Sequence, residues 1–385
     1  MGYLKNIKNS FKLKHYINYI AIAAALVLLI LLSSFGVLGR SDLTLLHRIA
    51  YSIVLAVSLN LVVGFLGELS LGHAGFMCVG AYIGCYFAIG ISDKVGSPLL
   101  VMILSMLVGG LVAAVFGLII GLPALRLKGD YLAIVTLDFG EIVRNVFKNM
   151  KLFGGAMGMQ TYKISYDQKK LYIVSFIVVL VVLFLIQNLI RSKHGRAITA
   201  IRDNEIAARA MGIGVTYYKL FVFVVAAFFA GVAGVMYGHQ VSLITQDTFS
   251  YNYSIEILVM VVLGGMGSIG GSILAAAAIT YVNFVLQNQL SGDLAALKLL
   301  IYAIILILVV VFSNAPALKP LREKFNFKAL VRKITKSNKK PGIVSDDEAE
   351  WNRVESKIKM DELLSVDFQN SRAYTPDKKA KKEDK

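Results

Sequence analysis

The chain has 385 residues, of which 57% are hydrophobic and 17% charged, and it carries a formal net charge of +16. Soluble domains hold ~45–50% apolar and ~25% charged residues, so this excess of apolar residue, gathered in long runs, excludes an ordinary water-soluble enzyme and indicates a polytopic membrane protein. In a soluble protein the positive charge would suggest nucleic acid, but no aromatic-basic stripe accompanies it, and none is expected as a partner. Cys78 and Cys85, the two cysteines, lie seven residues apart in one apolar run and provide neither a disulfide framework nor a CxxC metal pair.

In chain order, residues 1–16 carry Lys5, Lys8, Lys12 and Lys14 without an acid, then an apolar run extends over 17–38. This reads as a basic cytoplasmic segment followed by an uncleaved first span. Further spans are expected at 43–66, 70–91, 98–122, 131–147, 171–190, 217–238, 252–266, 269–290 and 297–315. The count is about ten in an all-α membrane domain over 17–315, with 131–147 and 252–266 short for a bilayer. An even count places both termini in the cytoplasm. Arg126, Lys128 and the basic 191–216 loop then fall inside, as the positive-inside rule requires. Lys148, Lys151, Lys163, Lys169 and Lys170 fall outside: either that loop breaks the rule, or the fifth span is re-entrant. Residues 316–385 form a charged tail; from 319 on it holds 18 Lys/Arg and 12 Asp/Glu. It is expected to be largely disordered and cytoplasmic, with a helix near 350–364 and an affinity for lipid in its first part.

Charges inside apolar runs are costly and mark function. They are Arg48, Glu68, Asp138, Glu141, Arg144 and Glu256. Glu141 and Arg144 stand at i,i+3, either as a polar lining or as an internal pair near a helix end. Glu68 sits in Gly64-Phe-Leu-Gly-Glu68-Leu-Ser-Leu-Gly-His73-Ala-Gly75, with Ser70 and Gly72. Glycines beside polar groups at bilayer depth suit a broken helix along a transport path. His73 has no second ligand nearby and reads as a packed, hydrogen-bonded histidine. Gly265 and Gly267 belong to a G-x-G-x-x-G string, Gly265-Met-Gly267-Ser-Ile-Gly270, with Gly264 just before it, between two apolar runs. Without a strand before it and a soluble unit around it, the string reads as a tight turn rather than a dinucleotide site.

The 191–216 loop is long, charged and varied. Asp203 is a helix-capping residue with Glu205 in the first turn, Glu205 and Arg209 stand at i,i+4, and Gly212 suits a C-terminal stop. A short capped helix over Asp203–Met211 follows, serving either as a docking helix for a cytoplasmic partner or as a lipid-surface helix. No G-x-x-x-x-G-K-[ST] string occurs, so no cofactor is expected on this chain.

The stretch Glu205-Ile-Ala-Ala-Arg-Ala-Met-Gly212 resembles the coupling loop of ABC importer permeases. Three further stretches sharpen the likeness: Ser58-Leu-Asn60-Leu-Val-Val-Gly64 running into Leu69-Ser-Leu-Gly-His73; Leu125-Arg-Leu-Lys-Gly129-Asp130-Tyr131 with Thr136-Leu-Asp-Phe-Gly140-Glu141-Ile-Val-Arg144; and Ser254-Ile-Glu256-Ile-Leu with Val262-Leu-Gly264-Gly-Met-Gly267-Ser. Together, over about 50–315, they resemble the branched-chain amino-acid ABC transporter permease family, Liv type, M subunit. The resemblance implies an ABC importer permease fold in a bacterial-type cell membrane. It also implies a sister permease, two cytoplasmic ATPase subunits that bind the ATP, and an extracytoplasmic substrate-binding protein. The 191–216 loop, with Asp203, Glu205, Ala207, Ala208, Arg209 and Gly212, would meet the ATPase. Glu68 replaces an expected glutamine and Asp138 an expected small residue, adding acid beside the implied path. An ion-coupled carrier using Glu68, Asp138 or Glu256, or a permease for an amide, urea or sugar, is the competing reading.

Overall fold

The computed structural model describes residues 39–127, 129–164 and 168–289, with 304 and 307. The expectations for 1–38 and 316–385, and nearly all of 297–315, lie outside the described residues.

Among the described residues ten α-helices follow one another: α1 Arg40–Asn60, α2 His73–Ser92, α3 Pro98–Ala124, α4 Asp130–Asn149, α5 Gln168–Arg191, α6 Lys193–Asp203, α7 Glu205–Ala210, α8 Val215–Gln240, α9 Tyr251–Gly264 and α10 Ile269–Gln289. A π-helical segment, Leu61–Leu66, prolongs α1. Together they form an almost wholly buried central rod, packed against α5, α8, α9 and α10. A second layer joins α8 to α2 and α3. Small residues allow it: a Cβ on Gly80 would stand 2.3 Å from the Gly231 carbonyl oxygen, so α2 and α8 meet backbone to backbone. Cys78 and Cys85 are both buried in α2.

Among the described residues, six helical stretches are long and apolar enough to cross a membrane: Arg40–Leu66, His73–Ser92, Pro98–Ala124, Lys170–Arg191, Val215–Gln240 and Ile269–Gln287. The two expected spans at 131–147 and 252–266 differ. The helix α4 is long enough but carries Asp138, Glu141, Arg144 and Lys148. The 14 residues of α9 rise only about 21 Å, short of a hydrocarbon core of about 30 Å.

The lysine-bearing stretch after α4 is folded rather than a plain linker. It forms short 3-10 turns and the strand β1 (Met159–Gln160), which pairs antiparallel with β2 (Leu243–Ile244) beyond α8. Lys148, Lys151 and Lys163 are exposed on it. The opposite end of the bundle gathers the end of the α1 rod, the α6–α7 pair, the first turn of α8 and the α9–α10 turn.

Candidate functional site: two helix breaks and a structured loop

The α1 rod ends where Gly67 takes the left-handed conformation (φ 82°), and the chain runs unwound to His73. A π turn already loosens the ladder ahead of it, a frequent feature of functional helices. The unwound stretch is tied to its neighbours through its backbone. Leu71 N donates to Thr136 Oγ1 on α4 at 3.0 Å, and Ala74 N to Ser254 Oγ on α9 at 3.2 Å. A Cβ on Gly72 would meet the Thr136 carbonyl oxygen at 2.6 Å. The His73 Nε2 shares a hydrogen bond with Ser58 Oγ at 2.8 Å, the packed role expected of it. Ser70 is buried, and its hydroxyl has no hydrogen-bond partner among the described residues.

The second break is the α9–α10 turn. Gly265 (φ 89°) and Gly267 (φ 80°) both occupy the left-handed region, and a Cβ on Gly264 would press on the Gly271–Ser272 backbone at 2.5 Å. The tight-turn reading of this glycine string therefore holds.

Asn60 joins the two breaks. Its Nδ2 donates to Ser268 O at 3.2 Å and Ser272 Oγ at 2.9 Å, and its Oδ1 accepts from Gly267 N at 2.9 Å. The carboxamide thus satisfies the Gly267 amide, which the α9–α10 turn leaves outside helical pairing, and braces Ser268 and Ser272 at the start of α10. Gly64 must be glycine beside it, since a Cβ there would fall 1.9 Å from Asn60 Oδ1.

The 191–216 loop differs from the single expected helix. Two helices occupy it, and Asn204 rather than Asp203 caps the second: its Oδ1 accepts from Ala207 N at 3.0 Å. Asp203 closes α6 and pairs with Arg202 at 2.9 Å. The other expectations are met. Arg209 Nη2 donates to Glu205 Oε1 at 2.9 Å, Ala208 is buried, and Gly212 ends α7 with φ 80°. Ile206 and Met211 are 82% and 83% exposed, two large apolar side chains on a charged loop.

This loop grips the first break. Arg202 Nη1 donates to the Gly64 carbonyl at 3.1 Å. Lys219 Nζ, on the first turn of α8, donates to Glu68 Oε1 and, at 3.2 Å, to Glu205 Oε2. Glu68 is therefore bound into an ion network. Asn60, Arg202 and Lys219 escaped the list of site residues read from the sequence. Lys219 carried a usable signal, as a charge inside the apolar run 217–238.

The remaining predicted residues lie elsewhere. Glu256 on α9 accepts from Asn283 Nδ2 on α10. Asp138 lies on the wall of a groove of about 690 Å³ between α3 and α4, otherwise lined by apolar groups such as Phe116, Ile119, Val135, Phe139 and Ile142. Glu141 accepts from Arg144 Nε at 2.8 Å, and its other oxygen accepts from Tyr251 N at 3.0 Å. A carboxylate there satisfies a free amide at the start of α9 and favours the positive end of that helix. Glu141→Ala strands the Tyr251 amide and leaves Arg144 with only Asp247, at 3.7 Å, at about 2–3 kcal/mol for the lost charge-assisted bonds. The double variant Glu141→Gln with Arg144→Met strands less. Thermal unfolding in detergent should rank the single variant below the double; equal midpoints would show that the two side chains are not coupled.

Helices interrupted at glycines beside polar groups, with a structured loop clasping one interruption, define a helical membrane transport protein. Residues 43–310 match the family model described as branched-chain amino acid transport system / permease component, and the chain belongs to that family. It is 33% identical over 312 residues to the high-affinity branched-chain amino acid transport system permease protein LivM of Salmonella typhimurium, covering 72% of this chain and 70% of that one. The LivM protein of Escherichia coli is 31% identical, over 76% of this chain and 72% of its own. A shorter match, 32% identical over 31% of this chain and 38% of the relative, joins it to the ribose import permease protein RbsC of Haemophilus influenzae. No solved structure matches the chain.

Proposed function

We propose that the chain is the permease subunit of an ATP-driven importer for branched-chain amino acids and forms half of the membrane path. The family and the LivM relatives support transport of these solutes. In this reading a sister permease completes the path and an extracytoplasmic binding protein delivers the solute. Two cytoplasmic ATPase subunits bind and hydrolyse ATP, so the permease needs no cofactor of its own. The protein lies in a bacterial-type cell membrane with both termini in the cytoplasm.

The observation that carries this reading is the exposed pair Ile206 and Met211 on a helix capped at both ends and pinned to the bundle. Apolar side chains on a polar rim mark a protein contact, and a rigid α7 is suited to dock an ATPase. The path is assigned to the exposed stripe of α4, with Tyr131, Ile134, Asp138, Ile142 and Asn145. A carboxylate at that depth faces protein or water rather than lipid, which sets this stripe toward the sister permease. The breaks at Glu68–His73 and Gly264–Gly267 give the path its movable ends, while Glu141, Arg144 and Glu256 hold the α4–α9–α10 layer in register. Purification of the tagged chain from its own membranes in mild detergent tests the proposal. An ATPase and a second permease should accompany it in fixed ratio; a chain that purifies alone from active membranes would contradict it.

A further inference from the structure

Lys219 stands apart from every other charge in the bundle. Among the described residues it is the one Lys, Arg, Asp or Glu that is buried, its side chain 5% exposed. Its ammonium lies between two carboxylates on elements far apart in sequence. Glu68 is the first residue beyond the left-handed Gly67 that ends the α1 rod, and Glu205 is the first residue of α7. Glu205 divides its oxygens, one to Lys219 and one to Arg209. Two carboxylates and two cations balance, so no net charge is stranded. Networks of this kind contribute little stability over well-packed apolar groups; what they can supply is a specified arrangement.

The arrangement here ties α7 to the helix break at two points. The first is Lys219, bridging Glu205 to Glu68. The second is Arg202, just before α7, on the Gly64 carbonyl; its side chain fills the space that a Cβ on Gly67 would need, with Cγ at 2.7 Å. Both points lie close to Gly67, where the rod unwinds. Asn60 in turn locks that rod to the α9–α10 turn, so a displacement of α7 reaches both breaks through side chains. The covalent route passes instead along the full length of α5 or α8.

We propose that Lys219 is a positioning residue for transport, the pin through which movement of α7 is passed to the unwound end of α1. The inference rests on the reading that α7 docks an ATPase. It makes Lys219 dispensable for ATPase binding, since its ammonium is buried away from the docking face, and indispensable for linking hydrolysis to movement of solute.

The test uses the complete importer, reconstituted in vesicles with its binding protein, and reads two quantities: ATPase retained per permease, and ATP hydrolysed per amino acid taken up. Lys219→Met should keep the ATPase bound and raise the ATP spent per solute about tenfold or more, a size usual for the coupling between linked sites. Lys219→Arg, which keeps the cation, should restore most of the coupling. Glu68→Leu, which removes the acceptor at the break and leaves the Lys219–Glu205 contact in place, should uncouple as Lys219→Met does, and serves if the Lys219 variant fails to fold. An intact complex in which Lys219→Met, or in its place Glu68→Leu, leaves the ratio unchanged overturns the inference alone. A wild-type preparation without any ATPase overturns the reading beneath it and the inference together.

Discussion

Asn60→Leu should destabilise the permease by about 3 kcal/mol and abolish transport. The side chain is fully buried and makes three hydrogen bonds, each worth about 1 kcal/mol net, and its loss leaves the buried Ser272 hydroxyl without that donor. A leucine cannot accept from Gly267 N, so the α9–α10 turn loses its anchor on the α1 rod. Gly64→Ala should act at the same point for a steric reason, because its Cβ would fall 2.2 Å from Gly267 N as well as on the Asn60 carboxamide. Neither helix can retreat cheaply, since the obstruction on one side is backbone. Unfolding midpoints in detergent, with uptake measured in parallel, check both variants. Wild-type stability in Asn60→Leu would show that the two breaks are held together by something else.

The second large effect is expected at the surface. Ile206→Asp and Met211→Ser remove exposed apolar groups from α7 without disturbing a buried contact, so the membrane fold should be unaffected. If these side chains anchor the ATPase, each substitution should cost about 2 kcal/mol of binding, roughly 30-fold in affinity. The pair together should release the ATPase on purification. Gly212→Val should weaken docking by another route: its Cβ meets open space, but φ 80° disfavours a β-branched residue, so the end of α7 would unwind. Co-purification ratios measure all three. Undiminished ATPase on the double variant would move the docking surface elsewhere.

What was legible in the sequence was local. The Glu205–Arg209 and Glu141–Arg144 pairs follow from helical spacing, and the turns at Gly212, Gly265 and Gly267 follow from the conformation that glycine alone adopts freely. The broken helix at 64–75 was legible because glycines and polar groups coincide at bilayer depth. The cap of α7 fell one residue from its expected place, since Asp203 and Asn204 both have capping side chains and spacing does not choose between them. The contacts that tie the site together were not legible. Lys219 meets Glu68 across 151 residues, Asn60 meets Gly267 across 207, and Glu141 meets Tyr251 across 110. Such pairings depend on how helices pack, and periodicity within one helix does not record them. Membrane spanning is only partly legible: six of the described helices are long and apolar enough to cross, and hydropathy alone does not separate the polar-striped α4, or the 14-residue α9, from such a span.

Under the proposed function, this permease moves its solute on the strength of ATP hydrolysed by bound partners. Uptake of leucine into vesicles containing the purified importer and its binding protein, with ATP and the ion gradient varied independently, tests it directly. Uptake should require ATP and persist when the gradient is collapsed. Gradient-driven uptake by this chain alone, in the absence of ATP, would contradict it.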